Sequence, residues 1–430
     1  MNVLIIGSGG REFTFASQIA ESELCDKLYI APGNAGTKQF GENVKIGLED
    51  FKAFAEFALE KNITLIVVGP EAPLVGGIRD YFESRDELSH ILIIGPGKKG
   101  AMLEGSKDFS KAFMQRHEIP TAQAKTFTKE NIEDGLSYLD SCNIPVVLKA
   151  DGLAAGKGVI IAESREQAKS SLKSMLLERQ FGHAGEKVLI EEYLDGIELS
   201  VFVLTDGEDF LILPEAKDYK RIGEGDTGLN TGGMGAVSPV IFADDAFMNR
   251  VKTRIVEPTI AGLREDGIPY QGFIFIGLMK VGNDPYVIEY NVRMGDPETQ
   301  VVLPRIKTDL LEILLNCARG TLSGQSLEID SRYAVTVVMV AGGYPESYDK
   351  GDEINGLADV PAELVVVHAG TKQDDYHILT NGGRVLSVTG QGNTLDKTLH
   401  LVYDGLPYIT WKNSYYRKDI GKDILAYHLD

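Results

Sequence analysis

Asn2-Val3-Leu4-Ile5-Ile6-Gly7-Ser8-Gly9-Gly10-Arg11-Glu12 is an apolar, β-branched run that breaks at glycine. A run without polar alternation reads as a strand covered on both faces, as parallel strands are. Helical spacing of Phe13, Phe15, Ala16, Ile19 and Ala20 follows at once, so the glycines turn a strand into a helix. Three further apolar runs, 27–30, 63–68 and 91–94, end in their own Gly/Pro loops at 32–36, 69–73 and 95–97. Strands alternating with helical patterns predict a doubly wound parallel sheet. Ligands of such sheets sit at the carboxyl ends of the strands, where all four loops lie.

The first loop does not read as a dinucleotide site. That fingerprint needs a third glycine where Glu12 stands, and an acid where the second strand runs into Ala31-Pro32. What remains is general: glycine N–H groups at a helix start can hold an anion, with Arg11 beside them. A tight turn without ligand is the plainer alternative.

Beyond residue 100 the texture changes. The pattern predicts helices at 106–117, 164–177 and 309–318, strands at 146–149, 158–162, 187–192 and 198–204, and a hairpin of 273–280 with 286–290. From 331 it turns β-rich, with strands at 334–340, 364–368, 377–379 and 384–389, and a closing helix near 394–406. The acidic loops 207–209 and 223–226 read as solvated surface.

Five stretches carry chemistry. Lys149-Ala150-Asp151-Gly152-Leu153-Ala154-Ala155-Gly156-Lys157-Gly158 resembles a phosphate loop but departs from the Walker pattern at Asp151 and Gly158. Its small residues let backbone N–H groups approach a triphosphate closely. Glu191-Glu192-Tyr193-Leu194, with Glu198 beyond, can offer backbone to an adenine edge and a carboxylate to ribose. Strand alternation puts Glu289, Asn291 and Arg293 on one face; two oxygen ligands and a guanidinium suit a hard cation plus phosphate. The adjoining Gly295–Gln300 stretch reads as substrate-facing. The glycine-rich 226–235 loop follows Lys217, Asp218, Lys220 and Arg221, a local anion site in an otherwise acidic chain. Arg384, after the Asn381-Gly382-Gly383 turn, is functional only if the fold brings it to the cleft.

Composition bounds the alternatives. The 430 residues carry 43 basic and 63 acidic side chains, a net charge of −20, which disfavours nucleic acid and anionic membrane as partners. Three cysteines, far apart, support neither a disulfide framework nor a thiolate metal site. No apolar run approaches a membrane span, and the first residues lack a basic leader. A cytoplasmic protein is expected. Neither GxSxG nor HExxH is present.

Taken together, Gly7–Glu12, 32–37, 69–74, Leu103-Glu104-Gly105-Ser106-Lys107, 149–159, 226–235, 289–300 and 381–385 resemble the ATP-grasp superfamily and, within it, the glycinamide ribonucleotide synthetases. The resemblance implies an α/β chain: an N-terminal substrate-binding domain (1–101), an ATP-grasp domain (102–328, lid about 121–190) and a β-rich α+β domain (329–430). It implies ATP-dependent ligation of glycine to 5-phosphoribosylamine through a glycyl phosphate, with Mg²⁺ or Mn²⁺. Lys107 and Lys149 would contact the phosphates under the Gly152, Gly156, Lys157 and Gly158 loop. Glu191, Glu192, Tyr193 and Leu194 would line adenine, and Glu198 ribose. Glu289 and Asn291 would hold the metal, with Arg293, Asp296 and Lys149 at the reacting groups. Gly9, Gly10, Arg11, Pro70, Glu71, Asp218, Asp296, Glu298, Lys372 and Arg384 would surround the substrates. A monofunctional monomer is implied, with transient contact to the preceding pathway enzyme. Family members often carry His at Phe13, Gln-Asp-His at Lys217-Asp218-Tyr219, and, in many other ATP-grasp enzymes, an acidic metal ligand near Gly277. A related ligase with another acceptor, or a nucleotide sensor without turnover, are the rival readings.

Overall fold

Asn2–Gly7 is the central strand of a five-stranded parallel sheet. It pairs with Lys27–Pro32 on one side and Ile63–Val68 on the other, with Glu42–Asn43 and Leu92–Ile94 at the edges. The chain runs out to one edge and crosses back, so strand order reverses between Asn2–Gly7 and Ile63–Val68. The Gly7–Glu12 and Gly69–Glu71 loops flank that switch point, the crevice where such sheets bind ligands. Val3, Leu4, Ile5 and Ile6 are fully buried, and Phe13, Phe15 and Ile19 anchor the helix Gly10–Ala20. The computed structural model describes residues 1–152, 158–178 and 185–427.

A second sheet is antiparallel and small. Ala124–Thr128, Lys187–Glu192, Val146–Ala150 and Val159–Ala162 pair in that order, beneath the helices Ile132–Ser141 and Arg165–Leu177. Phe127, Leu139, Leu148, Leu172 and Ile190 form a core separate from the rest of the chain. The unit therefore stabilises itself and meets the body through its edge and polar ties.

The third sheet carries the Glu-x-Asn strand. Ile197–Thr205, Gly272–Val281 and Asp284–Asn291 run antiparallel, with Phe210–Ile212 at one edge. Gly282, at φ +58°, makes the expected hairpin turn.

The β-rich tail is not self-contained. Its five-stranded sheet orders Lys217–Asp218, Gly235–Ser238, Tyr333–Val340, Arg384–Gly392 and Leu364–His368. Two strands thus come from well before residue 328, because the buried Gly235–Ser238 pairs along Tyr333–Val340. This junction brings the 217–235 segment and Arg384 to the same side of the molecule. His377–Thr380 pairs instead with Thr371–Asp374 in a separate hairpin.

Candidate active site

The strand Asp284–Asn291 delivers Glu289 and Asn291 at its end, opposite Gly277 and Phe275. A register shift between Gly277 and Leu278 leaves Glu289 directly across from Gly277. A side chain at Gly277 would begin 3.2 Å from the Glu289 Cγ, so the absence of an acid there leaves Glu289 its room. Regular strand ends at Asn291, yet Arg293 returns to the same face: its Nη2 donates to the Asn291 Oδ1 at 3.2 Å and to the Glu104 Oε1 at 2.8 Å. The other Glu104 oxygen accepts from the Val292 N–H at 2.8 Å. Glu104 on the helix Lys98–Gly105 thus sets the turn after the strand.

Glu289 is the electrostatic centre. Burial pushes its carboxyl up, but Lys220, Lys149, Lys107 and Arg293 more than offset this and hold it below the usual range. Arg293 stays charged despite burial because carboxylates face it, Glu104 and Glu71 foremost. Its Nε is buried and makes no hydrogen bond among the described residues, though the Glu71 carboxylate lies 3.4 Å away.

The lysines sit on two elements. Lys149, on Val146–Ala150, reaches the Glu191 Oε2 at 2.7 Å and the Ile288 carbonyl at 3.3 Å. Lys107 and Lys111 lie one turn apart on the helix Lys107–Arg116, hence on one face. The Lys107 Nζ donates to the Gly152 carbonyl at 3.1 Å. The helix N-terminus is capped by its own Ser106 and by Asp151, which accepts from the Asp108 N–H at 2.7 Å and the Ser106 hydroxyl at 3.0 Å. The phosphate-loop base therefore docks on a helix start. Gly158 closes it by accepting from the Ala150 N–H at 2.8 Å. Gly156 and Lys157 lie outside the described residues.

The adenine contact expected at 191–194 is one of backbone; the Glu191 side chain turns inward to Lys149 and, at 3.1 Å, to Lys111. Its backbone lies between Ala124 and Val147 in the sheet. Glu192, whose carboxylate accepts from the Gln123 N–H at 2.8 Å, ends that strand, so Tyr193 and Leu194 are the first residues beyond it. Glu198 is ion-paired with Lys220. The basic stretch splits by alternation: Asp218 and Lys220 face the site, Lys217 and Tyr219 face Asp423, and Arg221 donates to the Gly228 carbonyl at 2.8 Å. The 223–226 loop is exposed, but Asp226 pairs with the buried Arg417 at 2.7 Å.

The glycine loop is filled by this chain's own carboxylates. Glu12 folds back so that its Oε2 accepts from the Gly9 N–H at 2.6 Å and its Oε1 from the Arg11 Nε at 2.6 Å. The Asp296 Oδ2 accepts from the Arg11 N–H at 3.3 Å. Two of the groups expected to hold an anion are therefore engaged. A Cβ at Gly9 would come within 2.8 Å of the Asp296 carboxylate, and one at Gly10 would collide with the Gln300 amide. Glycine is needed there for close approach of the 295–300 loop.

Asp296 is held on three sides. Its Oδ1 accepts from the Gln300 Nε2 at 2.9 Å, and the Arg384 Nη1 lies 3.4 Å away. Burial raises its carboxyl, but Arg384 and Arg11 bring it below the usual range. Arg384 also donates to the Gly232 carbonyl at 2.8 Å, so the fold does bring it to the cleft. Glu298 behaves oppositely: burial and neighbouring Asp218 push it up to about 8. Pro70 and Glu71 start the helix Glu71–Gly76 at the switch point. Lys372 is exposed on the Thr371–Asp374 hairpin, next to Gln373, which accepts from Lys38 at 3.1 Å; nothing ties it to this cluster among the described residues. Glu104, Lys111 and Gln300 are participants that sequence reasoning gave no individual role; Glu104 and Gln300 fell inside stretches it singled out, and the four-residue spacing of Lys107 and Lys111 was the signal for the third.

Comparison with known proteins agrees with this geometry. Three family models match in order: phosphoribosylglycinamide synthetase, N domain, over residues 1–104; its ATP-grasp (A) domain over 105–299; and its C domain over 334–423. The chain is 47% identical over 427 residues to phosphoribosylamine–glycine ligase of Salmonella typhimurium, covering 98% of each. It is 43% identical to a bifunctional purine biosynthetic protein of Pichia angusta, of which it covers 53%; the chain spans about half the length of such fused relatives. The crystal structure of phosphoribosylamine–glycine ligase from Thermotoga maritima, 34% identical, superposes with a TM-score of 0.85 over 97% of this chain and 100% of that one. The architecture is accordingly an ATP-grasp fold preceded by a doubly wound parallel-sheet domain and followed by a β-rich one.

Proposed function

The chain belongs to the phosphoribosylglycinamide synthetase family, and we propose that its cleft joins glycine to 5-phospho-β-D-ribosylamine at the expense of ATP. The enzyme is a phosphoribosylamine–glycine ligase of purine biosynthesis. The observation that carries this reading is the charged cluster at the end of the Asp284–Asn291 strand: Glu289 faces Lys107, Lys149, Lys220 and Arg293, and Arg293 lies 3.2 Å from Asn291 and 3.4 Å from Glu71 of the parallel-sheet crevice. Such a site gathers the charge of a triphosphate beside a place for a small carboxylate.

The chemistry has two steps. A glycine carboxylate oxygen bonds to the γ-phosphorus as the bond to the ADP oxygen breaks, giving glycyl phosphate. The amine of phosphoribosylamine then forms a C–N bond at the glycyl carbon, phosphate leaves, and the amine sheds a proton. Neither step needs a protein nucleophile; both need alignment, charge neutralisation and exclusion of water. Lys107 and Lys149 hold the phosphates, with Gly152, Gly158 and the intervening Gly156 and Lys157 as cover. Tyr193 and Leu194 meet adenine beyond Glu192, and Glu198 meets ribose. Arg293, forked and permanently charged, steadies the transferring phosphoryl group. Gly9–Arg11, Pro70, Glu71, Asp218, Asp296, Glu298 and Arg384 surround glycine and phosphoribosylamine; Lys372 could join them only by movement of its hairpin.

Glu289 and Asn291 suit a divalent ion. Both are oxygen donors, Glu289 is ionised, and no trio of His, Cys, Asp or Glu converges among the described residues. An ion that takes only one or two protein oxygens and completes its shell with phosphates and water, as Mg²⁺ does, fits this pair; Mn²⁺ fits as well. When bound, it would offset phosphate charge. No helix among the described residues is long and apolar enough to cross a membrane; a cytoplasmic monomer that meets its pathway neighbour transiently is the reading we adopt.

The decisive experiment is ADP release with purified enzyme against a panel of amino acids and amine acceptors. Turnover with glycine and phosphoribosylamine is expected. Turnover only with another pair would make it a different ATP-grasp ligase, and nucleotide binding with no pair turning over would make it a sensor.

A further inference from the structure

The strand and turn 217–221 connect two places that no sequence motif links. Its side chains alternate. Asp218 and Lys220 face the site, where Lys220 pairs with Glu198 and lies near Asp218 and Glu289. Lys217 and Tyr219 face the other way, onto the C-terminal helix Lys422–Tyr427. There the Asp423 carboxylate takes both: Lys217 Nζ lies 3.0 Å away, and the Tyr219 hydroxyl donates to its other oxygen. The same hydroxyl accepts from the Gly421 N–H at 3.0 Å, and the Lys217 ammonium sits 3.9 Å above the Tyr219 ring.

A second tie lies one turn of chain away. The buried Arg417 forks onto Asp419 at 2.8 and 2.7 Å, and its remaining nitrogen donates to Asp226 at 2.7 Å and to the Arg221 carbonyl at 3.0 Å. Tyr415 donates to the Ile222 carbonyl at 3.0 Å, and Asp419 accepts from the Gly225 N–H at 2.8 Å. The C-terminal segment thus grips the back of the extended stretch whose front carries Lys220.

We propose that Asp423 is a positioning residue for the active site: by holding Lys217 and Tyr219 on the back of the strand, it sets the place of Lys220 against Glu198 and Glu289 on the front. This rests on the reading of Lys220 as part of the nucleotide site. Regular strand covers only Lys217 and Asp218, but the backbone of Tyr219 stays bonded to Gly235 and Met234 and that of Lys220 to Thr231, so the alternating side chains of this stretch share one held backbone. Lys217 and Tyr219 thus form with Asp423 a matched set.

The test is a double-mutant cycle on the full-length enzyme, reading KM for ATP, KM for glycine, ADP affinity by calorimetry and Tm. Lys220→Met alone should raise KM for ATP. Asp423→Ala should raise it about tenfold, equivalent to about 1.4 kcal/mol, weaken ADP in parallel and leave KM for glycine within about twofold. Asp423→Asn, which keeps an acceptor for Tyr219, should fall between. On the Lys220→Met background, Asp423→Ala should add nothing further, since its effect passes through Lys220. An Asp423→Ala enzyme with unchanged KM for ATP, or losses that add fully in the double variant, would overturn the proposal. If Lys220→Met is itself silent, the site reading fails and the proposal falls with it; if only Asp423→Ala is silent, the site reading stands.

Discussion

The Glu191 carboxylate holds two buried ammonium groups at once, Lys149 at 2.7 Å and Lys111 at 3.1 Å. The three come from different elements: a strand end, the neighbouring strand and a helix of the body. Lys111 is itself fixed by the Thr121 hydroxyl at 2.8 Å and the Ala122 carbonyl at 3.2 Å. Burial raises the Glu191 carboxyl, and the two lysines bring it below its ordinary value. Lys149, the lysine we propose for phosphate contact, thus stands on a mount that spans the small antiparallel unit and the body.

Replacing Glu191 by Gln should leave two buried ammonium groups without their anion. A loss of about 3 kcal/mol in urea denaturation at pH 7 is expected, in the range for breaking a buried pair. The wild-type carboxyl is lowered, so its contribution is present above its unfolded value, about pH 4.3, and is lost as pH falls through the lower folded value. Glu191→Gln should lack that acid limb. Equal stability of the two proteins at pH 7 would remove the role.

Glu298 should give the opposite slope. Its folded value, about 8, lies above the unfolded one, so the contribution is full below about pH 4.3 and is lost as pH rises toward 8. Glu298→Gln mimics the protonated form. Its stability relative to wild type should climb between pH 5 and 8 by up to about 1.4 kcal/mol per unit, read from denaturation midpoints. A pH-independent difference would refute the shift.

Gly10→Ala places a methyl against the Gln300 amide, which Asp296 holds from its other side. The Gln300 side chain must shift and loosen its hold on Asp296, and kcat/KM is expected to fall by about tenfold to a hundredfold, as for small displacements of reacting groups. Gly47→Ala, with nothing within 4 Å of the new methyl, should be silent. Equal activity of the two variants would show that the close approach is unimportant.

Glu289→Ala removes the anion among four cations. Turnover should drop by at least about a hundredfold, a few kcal/mol of lost electrostatic organisation, while far-UV circular dichroism is unchanged. A near-normal rate at saturating Mg²⁺ would exclude the metal role.

The parallel sheet was legible because each strand is an unbroken apolar run closed by Gly or Pro. The edge pair Glu42–Asn43 was not, since two residues carry no periodicity. Glu289 and Asn291 were legible from alternation within one strand. Arg293 needed Glu104 to bring it back after the strand had ended. The tail looked like a separate β-rich unit because its own strands are short apolar, β-branched runs; the partner strand Gly235–Ser238 lies far upstream and carries no mark of its destination.

The sequence by itself determined the local order: where strands stop, which loops carry glycine, and which polar side chains share a strand or helix face. These follow from short-range sterics and the periods of 2 and 3.6, which a linear string records. Only the tertiary structure decided what covers each face. It set the Glu191 carboxylate between two lysines, split Lys217 from Lys220, and brought Arg384 to Asp296 across 88 residues. Alternation says that neighbouring side chains point to opposite sides, but the partners on those sides come from distant chain, and long-range packing chooses them.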